Sequence, residues 1–549
     1  MNKLYFLATA FVALSLGMSG QEINLPPSWS VHNSLITVPE AIDMETFNHD
    51  DLYATDLLVE EQTGKTINGR LAFQEIDMDT HGVWNELADG SKIWLFKYKT
   101  SGALATNVYF SNYNLPIGGE LYLWSADKSY AEGPYDWKDN NDHGKMGTAE
   151  VFSDEAVLEY YQPADVVGEA QLTTYAFAHY YRHVHDFTED WNRGGSDPCE
   201  VDVNCPEGLG WEGPRDAVVR LRIVDGGNVG LCSGSMVNTT ARDCRQYMLT
   251  ALHCADGVST SDFQLFQVRF NYERANCGSG GGSSTHQRTG VIFLADSNDN
   301  GGNSGSDFLL VEIEDEVSAS WDPFYAGWDA SGTGGDQGVS IHHPAGDLKK
   351  ISTYDNNLSS EFWGAPGSHW GVNWIETETN HGVTEGGSSG SPIYNKDQQI
   401  IGTLTGGSSF CTTPNSPDFY GKMSYHWDGN SNPTDDLKVF LDPDNTGEED
   451  IFGSYAPDCD QQWLALAEVV FSDLGIYPNP AKDIVQIELK RSFELEFVSV
   501  YDALGHMVNK EDLSNGKRQI SMAGLTEGIY FMTFNFANGQ QVTKKVTKL

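Results

Sequence analysis

All eight cysteines of this chain fall between Cys199 and Cys459, with none in the first 198 residues or the last 90. That distribution divides 549 residues before any strand is read. A cysteine-bearing middle is flanked by two cysteine-free segments, and the length calls for three or four domains, not one core. Whether the cysteines are bonded depends on the compartment. Lys3 precedes an apolar run from Leu4 to Met18, followed by small residues and a polar start at Gln21. This is the pattern of an export signal, residues 1–20, cleaved after Gly20. The run is short for a membrane span and no later run is longer. In an oxidising compartment an even, clustered set of cysteines reads as disulfides confined to one domain. Their C-x(5)-C and C-x(9)-C spacings do not match zinc pairs. No metal or cofactor is expected.

The formal net charge is −45, from 33 basic and 78 acidic residues. A phosphate backbone or an anionic membrane would be repelled, so neither nucleic acid nor a lipid surface is expected as a partner. The excess is uneven: from Phe471 onward nine basic residues balance nine acidic ones.

Residues 21–193 read as β-rich, with "KIWLFKYKTSG" and "GELYLWSAD" set between turn residues. A cysteine-free segment between an export signal and a disulfide domain suggests a propeptide. The polar junction "EDWNRGGSDPC" offers an exposed basic site at Arg193–Gly194. Residues 194–456 hold many short strands, among them "AVVRLRIV", "FQVRF", "GVIFL", "FLLVEI" and "QIIGTLTG", and no long amphipathic helix. They read as an all-β barrel or sandwich, with "SGGGSS" as a surface loop. Residues 457–472 read as a linker with a short helical patch, "QQWLALAEVV". Residues 473–549 read as a small Ig-like β-sandwich.

Nucleophilic serine catalysis needs a hydroxyl, an imidazole to take its proton, a carboxylate to hold the imidazole, and backbone N–H groups aimed at the oxyanion. In "EGGSSGSP", Glu385 to Pro392, the middle serine, Ser389, is flanked by glycines that allow a sharp turn. The N–H groups of Gly387 and Ser389 are the candidate oxyanion donors. "YMLTALHCA" places His253 at the end of an apolar strand, and "GSDFLLVEI" places Asp307 at the head of another. The order His253, Asp307, Ser389 is that of one class of serine proteases and differs from those of two others.

The T-A-x-H-C form around His253 resembles the signature of chymotrypsin-fold proteases. "CEVDVNCPEG", "CSGSMVN", "LTALHC", "SDFLLVEI", "FYAGWD", "SIHHP", "GVTEGGSSGSPIY" and "FLDPDNTG" together resemble bacterial lysyl endopeptidase over nearly all of residues 194–456. "DGSKIWLFKYKTSGA…LPIGGELYLW" is similar to that family's propeptide. "YPNPAKD" and "GIYF…KKV" resemble the C-terminal sorting domain of type IX secretion substrates. The resemblance implies an all-β chain. Its parts would be a propeptide, a chymotrypsin-like double β-barrel protease, and an Ig-like tail that meets the type IX secretion machinery. It also implies export to the medium or the cell surface.

The sequence alone leaves on the order of 100 pairings of eight cysteines open. The resemblance implies Cys199–Cys411, Cys205–Cys277 and Cys232–Cys254. Cys244 and Cys459 have no counterpart there and are expected to bond to each other, the alternative being that one or both stay free.

A buried carboxylate in the primary pocket selects a basic side chain. Trypsin carries its acid six residues before the serine, where this chain has Val383. The resemblance implies instead the acid of the following hairpin, Asp418 in "SPDFYGK". Thr405, Gly406 and Gly407 in "LTGGSS" would form the strand along which substrate lies. The family also stacks a tryptophan and a histidine beside its triad. Trp363 matches the first, and Thr405 stands in the place of the second.

The expected activity is therefore a secreted serine endopeptidase cutting after lysine, with protein substrates and its own propeptide as partners. One alternative is broader Lys/Arg cleavage, which the Arg193–Gly194 junction would require if maturation is autocatalytic. Another is a non-enzymatic surface adhesin on a protease scaffold. His342, His343 and His381 read as structural, because adjacent histidines on a strand point to opposite faces. "DSNDNGGNSGSD", from Asp296, imitates a calcium loop but reads as a turn.

Overall fold

Apolar residues alternate with polar ones along short runs broken by glycine, and most of these runs become strands. The computed structural model describes residues 25–31, 36–182, 195–280, 286–456, 459, 474–489, 495–502, 506–514, 517–536 and 541–549. The export signal, the Arg193–Gly194 junction, the linker patch and part of the "SGGGSS" loop lie outside the described residues.

The N-terminal unit is β-rich, as its sequence suggests, but it also carries a helix that the sequence pattern does not announce. Helix α1 (His49–Thr63) is capped by Asn48, whose side chain accepts from the Asp50 N–H, and Asp50 and Asp51 occupy its first turn. It ends at Gly64, in the left-handed region at φ 73°. Its periodicity is hidden because polar groups fasten it: Tyr53, Leu57 and Leu58 face solvent, while Asp56 is fully buried. Asp56 accepts from Arg70 and from the Tyr181 hydroxyl, and Glu60 pairs with Arg182 at 2.6 Å. Strand β1 (Thr66–Phe73) follows directly.

The middle of the chain begins with β2 (Val218–Asp225), β3 (Asn228–Met236), β4 (Tyr247–Thr250), β5 (Gln267–Arg269) and β6 (Leu309–Ile313). Val219, Leu221 and Ile223 of β2 turn inward onto Met236, Met248 and Val311. The alternate residues Arg220 and Arg222 turn outward. The second half holds β7 (Gly338–His342), β8 (Ala365–Val372), β9 (Pro392–Asn395), β10 (Gln399–Gly407) and β11 (Asp418–Lys422), paired β7–β9–β10–β11–β8. Their inner face packs Val372, Ile393, Ile401, Leu404 and Tyr420. A third cluster, including Leu249, Leu310, Trp328, Ile341 and Tyr394, joins the two halves. This is a chymotrypsin-like double-barrel arrangement.

The N-terminal unit does not stand apart from these barrels. β1 pairs on one side with Gln171–Tyr180 of its own unit and on the other with β3, so that one sheet crosses from the N-terminal unit into the first barrel. The first barrel then forms its β3 edge contacts with a strand that the sequence assigns to another domain.

The disulfides lie at the ends of long excursions. Cys199 is bonded to Cys411, Cys205 to Cys277, Cys232 to Cys254, and Cys244 to Cys459. The last ties the end of the barrel region back to its first half. Beyond it, a three-stranded and a four-stranded sheet enclose Val485, Val498, Val500, Met532, Phe534 and Val546, forming a small β-sandwich. Among the described residues no helix is long and apolar enough to cross a membrane.

Candidate active site

His253 follows β4 in a single helical turn, and Asp307 precedes β6, the strand paired to β4. The pairing brings two residues 54 positions apart into contact. Nδ1 of His253 lies 2.6 Å from Oδ2 of Asp307, and the His253 N–H donates to Oδ1 at 2.8 Å. Asp307 is held at φ 60°, a conformation unfavourable for a side chain. Asp299 enforces it: its Oδ2 accepts from the Asp307 N–H at 2.8 Å and its Oδ1 from Gly302 at 2.9 Å. The segment that imitates a calcium loop is thus a turn that aims Asp307. Asp299 is a residue that the sequence reading did not single out.

Ser389 comes from the second barrel. The Cys232–Cys254 disulfide lies within the first barrel and touches both sides: Sγ of Cys254 is 4.0 Å from Nε2 of His253 and 3.9 Å from the Ser389 carbonyl oxygen. The Ser389 carbonyl also accepts from the Ser233 N–H of β3 at 2.8 Å. The serine loop is braced from behind. The Gly386 carbonyl accepts from the Ala345 N–H at 2.7 Å, and the Ser388 carbonyl from the Ser391 N–H at 3.0 Å. In a planar trans peptide the N–H points opposite to the C=O. The N–H of Gly387 therefore points away from Ala345, and that of Ser389 away from Ser391. Gly387 adopts φ 95°, and a Cβ there would come within 3.0 Å of the Gly346 N and the His343 carbonyl. His342 supports the loop through a 2.8 Å hydrogen bond between its Nδ1 and the Ser388 hydroxyl. Burial, with the Lys350 charge adding to it, pushes this imidazole down to about 3, so it supports the loop as a neutral group.

Asp418 heads β11, where it is 1% exposed. Its Oδ2 accepts from Trp374 Nε1 at 2.7 Å, the Thr384 hydroxyl at 2.7 Å and the Ser409 hydroxyl at 2.5 Å; its Oδ1 accepts from the Ser409 N–H at 3.1 Å. No cation pairs with it among the described residues. Burial raises its carboxyl above the ordinary range, and these hydrogen bonds oppose the rise. Gly407 stands directly opposite, and a Cβ there would fall 1.9 Å from Oδ1. Val383 is fully buried in the wall, where its carbonyl accepts from Ser352.

Trp363 lies over Gly406, 5.2 Å from the Phe419 ring. At Thr405 the resemblance implied a histidine and the chain has a hydroxyl. The structure brings a histidine to it from β8: Nε2 of His369 is 2.9 Å from Thr405 Oγ1, and its ring is 6.0 Å from Trp363. Burial pushes His369 down to about 4. Sequence order hides this contact because β8 and β10 are separated by the serine loop and meet only through β11.

The cleft is occupied from the N-terminal side. A cavity of about 480 Å³ is lined by Glu60, Thr63, Gly64 and Lys65 on one wall and by His253, Trp363 and Gly407 on the other. A Cβ on Gly64 would lie 3.1 Å from Cδ2 of His253. Lys65 turns away from Asp418: its Nζ is 3.0 Å from Asp225 Oδ2 and donates to the Asp256 carbonyl at 2.6 Å. Thr66 pairs with Leu231, and its hydroxyl lies 2.6 Å from where a Cβ on Gly386 would be. The chain thus runs as a strand on one side of His253 and as a helix on the other.

Residues 193–421 match the family model for the lysyl endopeptidase C-terminal domain, and residues 475–548 match that for the secretion system C-terminal sorting domain. A lysyl endopeptidase of Pseudomonas aeruginosa is 26% identical over 373 residues, 65% of this chain and 78% of the relative. Among solved structures, a thermostable serine protease, AL20, from an extremophilic microorganism aligns with 38% of this chain and 93% of its own, at 16% identity and a TM-score of 0.29. The protease Anisep from Arthrobacter nicotinovorans aligns with 38% and 90%, at 16% identity and a TM-score of 0.27. The sorting-domain match indicates secretion or a cell-surface location.

Proposed function

We propose that this serine endopeptidase cuts on the carboxyl side of lysine through Ser389, His253 and Asp307. Ser389 attacks the scissile carbonyl, and His253 takes its proton and returns it to the leaving amine. Asp307 fixes the imidazole tautomer through Nδ1. The Gly387 and Ser389 N–H groups stabilise the oxyanion.

The observation that carries the specificity is the state of Asp418, a buried carboxylate with hydrogen bonds but no cation. Neutral donors soften the cost of burying a charge without removing it, so a substrate ammonium completes the site and a neutral side chain leaves it unpaired. Three donors already occupy Oδ2. A guanidinium fork needs a free lone pair on each oxygen, whereas a single ammonium needs only Oδ1. This favours lysine over arginine. Digesting one denatured protein and reading the new C-termini by mass spectrometry tests it; frequent arginine ends would replace the reading with broader Lys/Arg cleavage.

Residues 21–193 serve in this reading as a propeptide, cut at Arg193–Gly194 to leave a protease of residues 194–456. Residues 457–472 and 473–549 are the linker and the sorting domain read by the type IX machinery. The plug formed by residues 60–66 supports latency before the cut. Gly64 lies at His253 where a cleavable chain would be extended, and its N–H is tied to the Glu60 carbonyl at 2.9 Å as the end of a helix.

A further inference from the structure

The N-terminal unit also covers a face of the first barrel that the proposed chemistry does not use. Arg220 and Arg222 project from β2 onto this face, and Arg269 of β5 stands directly opposite Arg220. The three guanidinium groups converge on one carboxylate, that of Glu150 in the N-terminal unit. Arg222 Nη1 donates to Oε2 at 2.8 Å, Arg269 Nη1 to Oε2 at 3.1 Å, and Arg220 Nη2 to Oε1 at 3.0 Å and Oε2 at 3.3 Å. All four side chains are 5% exposed or less. The Tyr272 ring lies 4.3 Å from the Arg220 guanidinium and 4.5 Å from that of Arg269. Burial would push the Glu150 carboxyl up, but the three cations hold it well below the usual range.

This is a carboxylate cradle seen with an occupant. It also holds more positive charge than one carboxylate balances. The Nε atoms of all three arginines have no hydrogen-bond partner among the described residues. Like charges gathered on one sheet face repel, a cost that Glu150 offsets, with the Glu132 charge of the N-terminal unit adding to it at Arg269 and the Tyr272 ring facing Arg220 and Arg269. The three arginines and Tyr272 belong to the barrel. A cut at Arg193–Gly194 and loss of the N-terminal unit would remove Glu150 and leave the cradle standing.

Its position relates it to the cleft. Arg220 Nη1 donates to the Gly346 carbonyl at 3.3 Å, and Gly346 packs against both Gly387 and the Leu231 side chain. Leu231 pairs with Thr66 at one edge of β3 and with Arg222 at the other. The cradle therefore lies two strand spacings, about 10 Å, from the edge on which β1 now lies. That edge belongs to the first barrel and begins at Thr66, beside Gly386 of the serine loop, whereas Asp418 lies on β11 of the second barrel.

We propose that in the processed enzyme Arg220, Arg222 and Arg269 form an exosite for an acidic side chain on the stretch of substrate that follows the scissile bond. The proposal rests on the reading of residues 194–456 as a lysine-directed protease. Residues 194–456 hold 13 basic and 37 acidic residues, so most of the processed surface repels acidic substrates, and this face reverses that locally. The arginine forks suit a carboxylate in a way that three lysines would not.

The test uses the processed enzyme, freed of its N-terminal unit, and pairs of peptides with one lysine. Each pair differs only by Glu or Gln at one of several positions after the lysine. At one or more positions the Glu peptide is expected to show a kcat/KM higher by about fivefold or more at low salt, carried by KM and lost at high salt. The double variant Arg222→Gln/Arg269→Gln should cleave the Gln peptides as the unaltered enzyme does and lose the preference. As a check independent of folding, a peptide of residues 146–154 should compete with the Glu substrate, and its Glu150→Gln form should not. Equal rates for Glu and Gln at every position, or a preference that survives in the double variant, would overturn the exosite. Gln peptides left uncut after lysine would instead overturn the specificity on which it rests.

Discussion

At Asp418 a negative charge is kept from water without a cation, and substitution there should be read as loss of a charge pair with substrate. Asp418→Asn is expected to cost about 3 kcal/mol or more of transition-state binding on lysyl substrates, upward of 100-fold in kcat/KM. Assays on lysyl and uncharged ester substrates check this, because only the former should suffer. Asp307→Asn should lower kcat by about 10⁴-fold with little change in KM, since it spoils the tautomer and not the pocket. A second carboxylate reports on stability. Burial pushes Glu385 up to about 7, with the neighbouring Asp197 and Asp347 charges adding to the rise and the Asp197 N–H opposing it. The folded state therefore holds this proton more tightly than the unfolded chain does. Its contribution to stability is complete below the ordinary glutamate range and is lost as the pH rises through about 7. Melting temperatures between pH 5 and 8 should fall more steeply for the unaltered chain than for Glu385→Gln. The proposed triad, His253, Asp307 and Ser389, could be named from the sequence because each residue sits in a short motif. Trp374 and His369 could not be, because nothing near them in sequence shows what they face across the sheet; Asp299 and Ser409 act locally, on Asp307 and Asp418, through contacts that no short motif marks.

Among the elements, the junction of α1 and β1 lies beside His253 at the mouth of the cleft. Gly64 meets two demands: a left-handed φ and the absence of a Cβ beside His253. Gly64→Val should therefore loosen the plug. In a full-length chain made uncleavable at the junction by Arg193→Gln, it should raise hydrolysis of a small lysyl ester about tenfold or more above that of the parent, because a misplaced helix end costs a few kcal/mol. An unchanged rate would mean that latency lies elsewhere. α1 escaped the sequence pattern for a physical reason. Its hold on the protein is Asp56 and Glu60 against Arg70, Tyr181 and Arg182, and hydrophobic periodicity does not register an anchor made of charges. The strands of the barrels were legible because their two faces differ: Val219, Leu221 and Ile223 inward, Arg220 and Arg222 outward. What covers the outward face was not.

For the whole molecule, the C-terminal charge and cysteine boundary coincides with a separate core, whereas at the N-terminal boundary Leu71, Tyr109 and Tyr180 share a cluster with Val224, Val229 and Leu265. The tail has its own apolar interior and no cysteine, so removing residues 474–549 should leave the activity of the protease unchanged while blocking its appearance outside the cell or on its surface. Activity in lysate and in medium, compared with the full chain, checks both halves of that statement. The N-terminal unit behaves differently. It looks separable in sequence, yet it shares a sheet with the first barrel, fills the cleft and supplies the carboxylate for three barrel arginines.

The sequence by itself determined the class of fold and named the candidate reacting groups and the proposed order of the parts, because those follow from residue type, strand period and short motifs acting over a few residues. Only the tertiary structure decided what the N-terminal unit does to the barrels and what anchors each charge. Many partners of a buried carboxylate lie tens of residues or more away: the three arginines at Glu150, Trp374 and Thr384 at Asp418, Tyr181 at Asp56. Coulombic and hydrogen-bond energies depend on distance in space, and separation along the chain says little about it.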